Sequence, residues 1–289
     1  MNKTNLCASV RRTLYAMSLT VSDLREFQVL NGRTDYKTNI TSSLSGYKQI
    51  VIHPGKKHEF GHLSPYTLTL NDWEGVKDVN VENSWQFSKV YKSVKQQDQW
   101  NFVVGHQGKV NVWSHPHETF TKDYDTLTQN YWLWRRKGFA NPRAVRYPNG
   151  YQCRHEVLYS LQLISSPTSR VRIWQELDYV EARRAIYNRT MIEAITCSTD
   201  PDVVREFEQL KSLYRRGERL IFSEVDGPAF VRDSHPYDRV IEGKLGDEGV
   251  DLLPTENSTI HACLENTDRS FGHGYVVACL VMGKKRWLV

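Results

Sequence analysis

Apolar positions along this chain come in short runs whose period changes several times. Short apolar stretches at 49–52, 66–70, 100–104, 109–113 and 220–225 predict strands. The first is closed by His53-Pro54-Gly55 and the last by Asp226-Gly227-Pro228, both turn-forming sequences. Helical spacing predicts helices over 81–95, over 125–137 with a stop at Gly138, and over 274–282. Asp178 and Glu181 form a capping-box pattern ahead of Ala182, Ala185, Ile186, Ile192 and Ile195, which recur at roughly helical intervals. Asp200-Pro201 opens a further helix with a cap and then proline at its first position, and Gly217 ends it. Residues 156–164 fit helix or strand equally, and 260–265 read as weakly strand-like.

Ahead of this lies a different texture. Residues 1–47 read as an N-terminal appendage, with a short helix over 23–30 capped by Ser22 and stopped by Asn31-Gly32, then a polar Ser/Thr-rich loop. No repeat, low-complexity tract or interdomain linker interrupts 48–289. The expected fold class is α+β, one helix-rich domain with small β-sheets.

The helix over 81–95 carries the most chemistry. Glu82, Gln86 and Lys89 stand at i, i+4 and i+7, on one face, with Trp85 beside them. Val81, Phe87 and Val90 lie elsewhere and can serve the core. A carboxylate, an amide and an amine beside a large ring suit a sugar and a base. A solvated charged face has the same pattern.

Composition narrows the alternatives. The 289 residues include 8 Trp and 15 Tyr, and the formal net charge is +5, a mild basic bias that suits phosphate-bearing partners. Cys7, Cys153, Cys197, Cys263 and Cys279 are scattered, odd in number and never in C-x-x-C spacing, which fits a reducing, cytoplasmic compartment without a disulfide framework. No signal peptide or membrane-length apolar run is evident, so no membrane partner is expected. Neither phosphate-loop nor dinucleotide glycine motifs occur. The histidine groups 53, 58, 62 and 115, 117 match no metal template, so no metal or other cofactor is expected.

Arg135, Arg136, Lys137, Arg143, Arg146 and Arg154 interleave with Trp132, Trp134, Phe139, Tyr147 and Tyr151. Cations that grip phosphate and rings that stack on bases are what nucleic-acid binding needs. A helix with a wet basic face over aromatic core residues reads the same way. Near the end of the last predicted strand, Glu224 and Asp226 alternate to one side and are candidates for a second acid.

Leu63-Ser64 followed by Glu82, Trp85, Gln86 and Lys89 resembles the NADAR superfamily, the NAD- and ADP-ribose-associated N-glycosidases. Its members carry a Leu-Ser loop and then a helix with Glu, an aromatic residue, Gln and a later Lys. Three later segments are similar to NADAR-like proteins of phage and bacterial genomes: Ala-Val-Arg-Tyr-Pro-Asn-Gly at 144–150, Leu-Asp-Tyr-Val-Glu-Ala-Arg-Arg at 177–184, and Gly-His-Gly-Tyr-Val-Val-Ala at 272–278. The central region is longer than in compact members. The resemblance implies a NADAR-like domain over 48–289 and N-glycosidase chemistry. Glu82 would be the leading carboxylate, with Gln86, Lys89, Glu224 and Asp226 as further catalytic candidates. Ser64, Tyr66, Trp85, Trp134, Arg135, Arg146 and Tyr147 would bind substrate. Lys89 can serve as phosphate clamp or as nucleophile.

Together these point to DNA as partner, with a flipped modified base excised to an abasic site, a reaction at home in anti-phage defence. No protein partner is evident. The alternatives are an N-glycosidase for ADP-ribosyl-guanine or a ribosylated metabolite, and a non-catalytic DNA-binding module.

Overall fold

The computed structural model describes residues 26–33, 45–54, 58–94, 117–123, 126–165, 172–224, 251–267 and 270–289. The strands expected at 100–104 and 109–113, and Asp226, lie outside these residues.

Two sheets share one continuous core. The first has the order β11 (Asp251–Pro254), β1 (Val29–Arg33), β10 (Arg219–Glu224), β2 (Tyr47–Val51). β1 and β2 both run parallel to β10, and β11 runs antiparallel to β1. The second is antiparallel, β5 (Lys89–Tyr91), β8 (Val157–Ser165), β9 (Arg172–Leu177). Two further pairs are a hairpin of β3 (Thr69–Trp73) and β4 (Val76–Asn80), and a short ladder of β6 (Ser93–Val94) with β7 (His117–Glu118). The hairpin turn is Glu74-Gly75 with φ of 53° and 83°, the left-handed pair that matches strand twist in a two-residue loop.

In chain order the helices are α1 (Val81–Gln86), α2 (Gln129–Phe139), α3 (Tyr179–Ala182), α4 (Arg189–Thr196), α5 (Pro201–Arg215), α6 (Asn257–Glu265) and α7 (His273–Val281). A π-helical stretch, Arg183–Asn188, joins α3 to α4. α7 is buried along its length after His273 and packs on β10 and β1. One buried apolar cluster runs from Phe222 and Val276 through Ile186 and Trp85 to Val90 and Trp134, so both sheets belong to a single α+β domain.

Several local expectations hold. Asp178 and Glu181 form a reciprocal capping box, and Asp200 caps α5 with proline in its first turn. Val81, Phe87 and Val90 are all fully buried.

Others are corrected. Val29–Arg33 is an inner strand, where the end of a helix over 23–30 and its Asn31-Gly32 stop are expected. Residues 157–165 form a strand, and the weakly strand-like 260–265 fall inside α6, where burial of Ile260, Cys263 and Leu264 overrides β-branched propensity. The third strand starts at Thr69. Gly138 lies inside α2 and does not end it. A Cβ there would sit 2.0 Å from the Phe87 ring, so glycine answers a close approach.

The helix expected over 81–95 stops at Gln86. Ser84 Oγ donates to Val81 O (2.8 Å) and Ser88 Oγ to Ser84 O (2.6 Å), local bonds that compete with further helix. Lys89-Val90-Tyr91 then pairs with β8. Lys89 therefore reaches the site from a strand.

Candidate active site

Asn80 builds the start of the site. Its side chain accepts from Glu82 N (3.0 Å) and Asn83 N (3.3 Å), capping α1. It also donates to Tyr66 O (3.0 Å) and Leu68 O (3.2 Å), tying the helix to the preceding loop. Glu82 is 5% exposed. Gln86, one turn on, donates from Nε2 to Glu82 Oε1 (2.8 Å). Lys89 Nζ donates to Gln86 Oε1 (2.8 Å). The amide bridges carboxylate and amine, and its orientation follows from having one donor and one acceptor as neighbours.

Lys89 Nζ also sits 4.6 Å from the Trp85 ring centroid. Burial lowers its pKa to about 8. Glu82 opposes the shift, while Arg146 and Arg183 add to it. Across the ladder Lys89 faces Ser160.

These groups line a cleft of about 650 Å³. Arg146, Arg154 and Arg183 join Lys89 as its cations, and Tyr66, Tyr91, Tyr147, Tyr159, Tyr179, Tyr187 and Phe271 join Trp85 as its rings. Among the described residues that line it, Glu82 alone carries a carboxylate. Rings and cations are interleaved: the Arg183 guanidinium lies 4.2 Å from the Tyr179 centroid and that of Arg146 5.4 Å from Tyr147.

Asn83, fully buried, holds one wall. Its amide donates to Asn141 O (3.0 Å) and Arg143 O (2.9 Å), and its oxygen accepts from Val145 N (2.8 Å). That clamp delivers Arg146 and Tyr147 to the cleft. The π-helical stretch supplies Arg183 and Tyr187 to the opposite wall, and irregular turns of this kind often mark functional positions. Arg183 also donates to Leu264 O (2.8 Å) and to Asn266 O, tying that wall to the C-terminus of α6. At a third edge His273 opens α7 and its Nε2 meets Ile52 O at 2.7 Å. The segments 144–150, 177–184 and 272–278 thus all contribute lining residues.

Seven of the expected site residues come together here: Tyr66, Glu82, Trp85, Gln86, Lys89, Arg146 and Tyr147. Three do not line the cleft. Ser64 is fully buried and its carbonyl accepts from Leu68 N (2.9 Å), a turn-building role. Trp134 is fully buried among Phe87, Tyr91 and Tyr131. Arg135 is 2% exposed and pairs with Glu74. The basic, aromatic stretch around α2 is therefore partly core, and only its later residues reach the cleft. Glu224 ends β10, opposite Arg33 in the ladder. Tyr187, Tyr159, Ser160 and Phe271 were not foreseen. No short motif marks them, because the fold collects them from three separate segments.

Among the described residues, no group of His, Cys, Asp and Glu is placed to hold a metal ion. His62 is engaged with Glu206, its Nδ1 2.5 Å from Oε1. The described cysteines, Cys153, Cys197, Cys263 and Cys279, are free thiols. No helix among the described residues is long and apolar enough to cross a membrane. No protein-family model, curated protein or solved structure matches the chain.

Proposed function

We propose that this protein is a NADAR-like N-glycosidase, acting as a DNA glycosylase that draws a modified base into the cleft and cuts its bond to deoxyribose. The observation that carries the reading is the Glu82–Gln86–Lys89 chain in a cleft rich in rings and cations. Breaking the C–N bond builds positive charge on the sugar carbon, and the buried Glu82 carboxylate stabilises it and orients the attacking water. Water adds to C1′ as the C–N bond breaks, Glu82 takes the proton that the water gives up, and the base leaves with a proton. Lys89, with a pKa of about 8, is matched to donate that proton near neutral pH. Gln86 holds the two groups in register. Trp85 and the tyrosines stack on the base, and Arg146 and Arg154 take the flanking phosphates. No cofactor enters this scheme. The setting would be the cytoplasm, with phage DNA bearing unusual bases as target.

A second reading keeps the bond and changes the substrate. Arg146, Arg154 and Arg183 lie within the cleft itself, a distribution that suits the pyrophosphate of an ADP-ribosyl group on guanine. The test incubates the protein with plain DNA, with phage DNAs carrying different modified bases, and with ADP-ribosylated DNA. Abasic sites and free base from one modified DNA are expected. Release from ADP-ribosylated DNA alone would select the second reading. Binding without release from any substrate would leave a DNA-binding module.

A further inference from the structure

Building on the DNA-glycosylase reading, we propose that Leu158 is the wedge that enters the base stack and fills the gap left by the extruded nucleotide. Leu158 is 55% exposed and yet lines the cleft. Its exposure has a backbone cause. In the β5–β8 ladder Val90 pairs with Tyr159, but the next residue, Tyr91, pairs with Val157, so Leu158 is an extra residue in a bulge. The β9 ladder begins at Ser160, paired with Leu177, and leaves Leu158 uncovered on that side as well. Bulges turn a side chain out of the ladder and are common beside active sites.

The surroundings give the leucine its task. Two residues on, Ser160 faces Lys89, so the bulge stands one strand repeat, about 7 Å along β8, from the residue opposite Lys89. Arg154 and the exposed His155, both lining the cleft, precede it and suit the phosphates of a bound strand. An isolated exposed leucine normally carries no meaning. At the mouth of a cationic cleft that takes a base, it is the apolar body that can occupy the vacated stacking position, as inserted leucines do when they part a base step. A wedge matters for duplex DNA, where the gap must be held open. It matters far less for a single strand, whose bases are already free to leave the stack.

The test compares the full-length protein with Leu158→Ala and Leu158→Met. Two probes are used: a duplex oligonucleotide carrying 2-aminopurine next to the modified base, and its single strand. Leu158 is exposed and outside the buried core, so both variants keep the fold. In wild type, binding to the duplex should raise 2-aminopurine fluorescence as the step unstacks. Leu158→Ala should abolish that rise and lower the duplex-to-single-strand ratio of base release about tenfold, and Leu158→Met should restore most of both. An unchanged ratio, or a wild type that does not bind the duplex, overturns the wedge. Unstacking that depends on Leu158 without base release would retain the wedge and overturn the glycosidase reading. Release that is indifferent to Leu158 would do the reverse.

Discussion

Arg135 and Lys89 are both basic residues packed among aromatic rings, and they differ in how fully their donors are used. Arg135 gives Nε and Nη2 to Glu74 (3.2 and 2.6 Å), Nη1 to Phe87 O (3.0 Å) and Nη2 to Leu161 O (2.9 Å). With Nη1 also donating to the Tyr131 hydroxyl (3.4 Å), the guanidinium is saturated, and it braces the junction of α1, β5 and β8. Lys89 has one amide oxygen and one ring face, a lowered pKa and a cleft in front of it. A saturated cation is structure. A cation held with capacity to spare, near a buried carboxylate, is available for chemistry.

Breaking each side of this comparison has a distinct signature. The largest effect is on rate. Glu82→Gln keeps the shape and an acceptor for Gln86 but removes the charge that, in the proposed reaction, meets the oxocarbenium ion. Single-turnover base release should fall about a thousandfold or more, with duplex binding within a few-fold of wild type. Next is stability. Arg135→Met strands the Glu74 carboxylate and two buried carbonyls, and urea unfolding should show a loss of about 3–5 kcal/mol.

Gly138→Ala comes third. The new methyl meets the Phe87 ring and should cost about 1–3 kcal/mol despite alanine's better helix propensity, a penalty that shrinks in a Phe87→Leu background.

Last comes the dependence on pH. As proton donor, Lys89 should give kcat/KM a limb that falls through about pH 8 and that disappears in Lys89→Arg. A limb that rises instead, with a borohydride-trapped crosslink, would make Lys89 the nucleophile. Stability carries the opposite sign. Because the folded state lowers this pKa from 10.5 to about 8, the unfolded chain binds more protons between those values. Stability should therefore rise from about pH 8 to 10.5 in wild type relative to Lys89→Met.

The sequence was informative where the cause is local. The Asp178 capping box, the Asp200-Pro201 start and the apolar α7 follow from neighbouring residues. Glu82 and Gln86 could be paired from helical spacing alone. Lys89 reached the same place for a different reason, since the helix ends at Gln86 and a strand carries the lysine there. Arg135 and Arg146 could not be told apart, because whether a cation is buried against Glu74 or set into a cleft depends on partners 61 residues away in one case and on the Asn83 clamp in the other. Val29–Arg33 was missed because its strand pairing is with β10 and β11, far along the chain.

The most direct measurement of the central claim is free base released from modified duplex DNA, quantified by mass spectrometry for wild type and Glu82→Gln at equal folded concentration. Wild type should release one base per abasic site, and Glu82→Gln should release it about a thousandfold more slowly or undetectably. Equal release by both proteins would contradict it, because the carboxylate in the cleft would then take no part in breaking the bond.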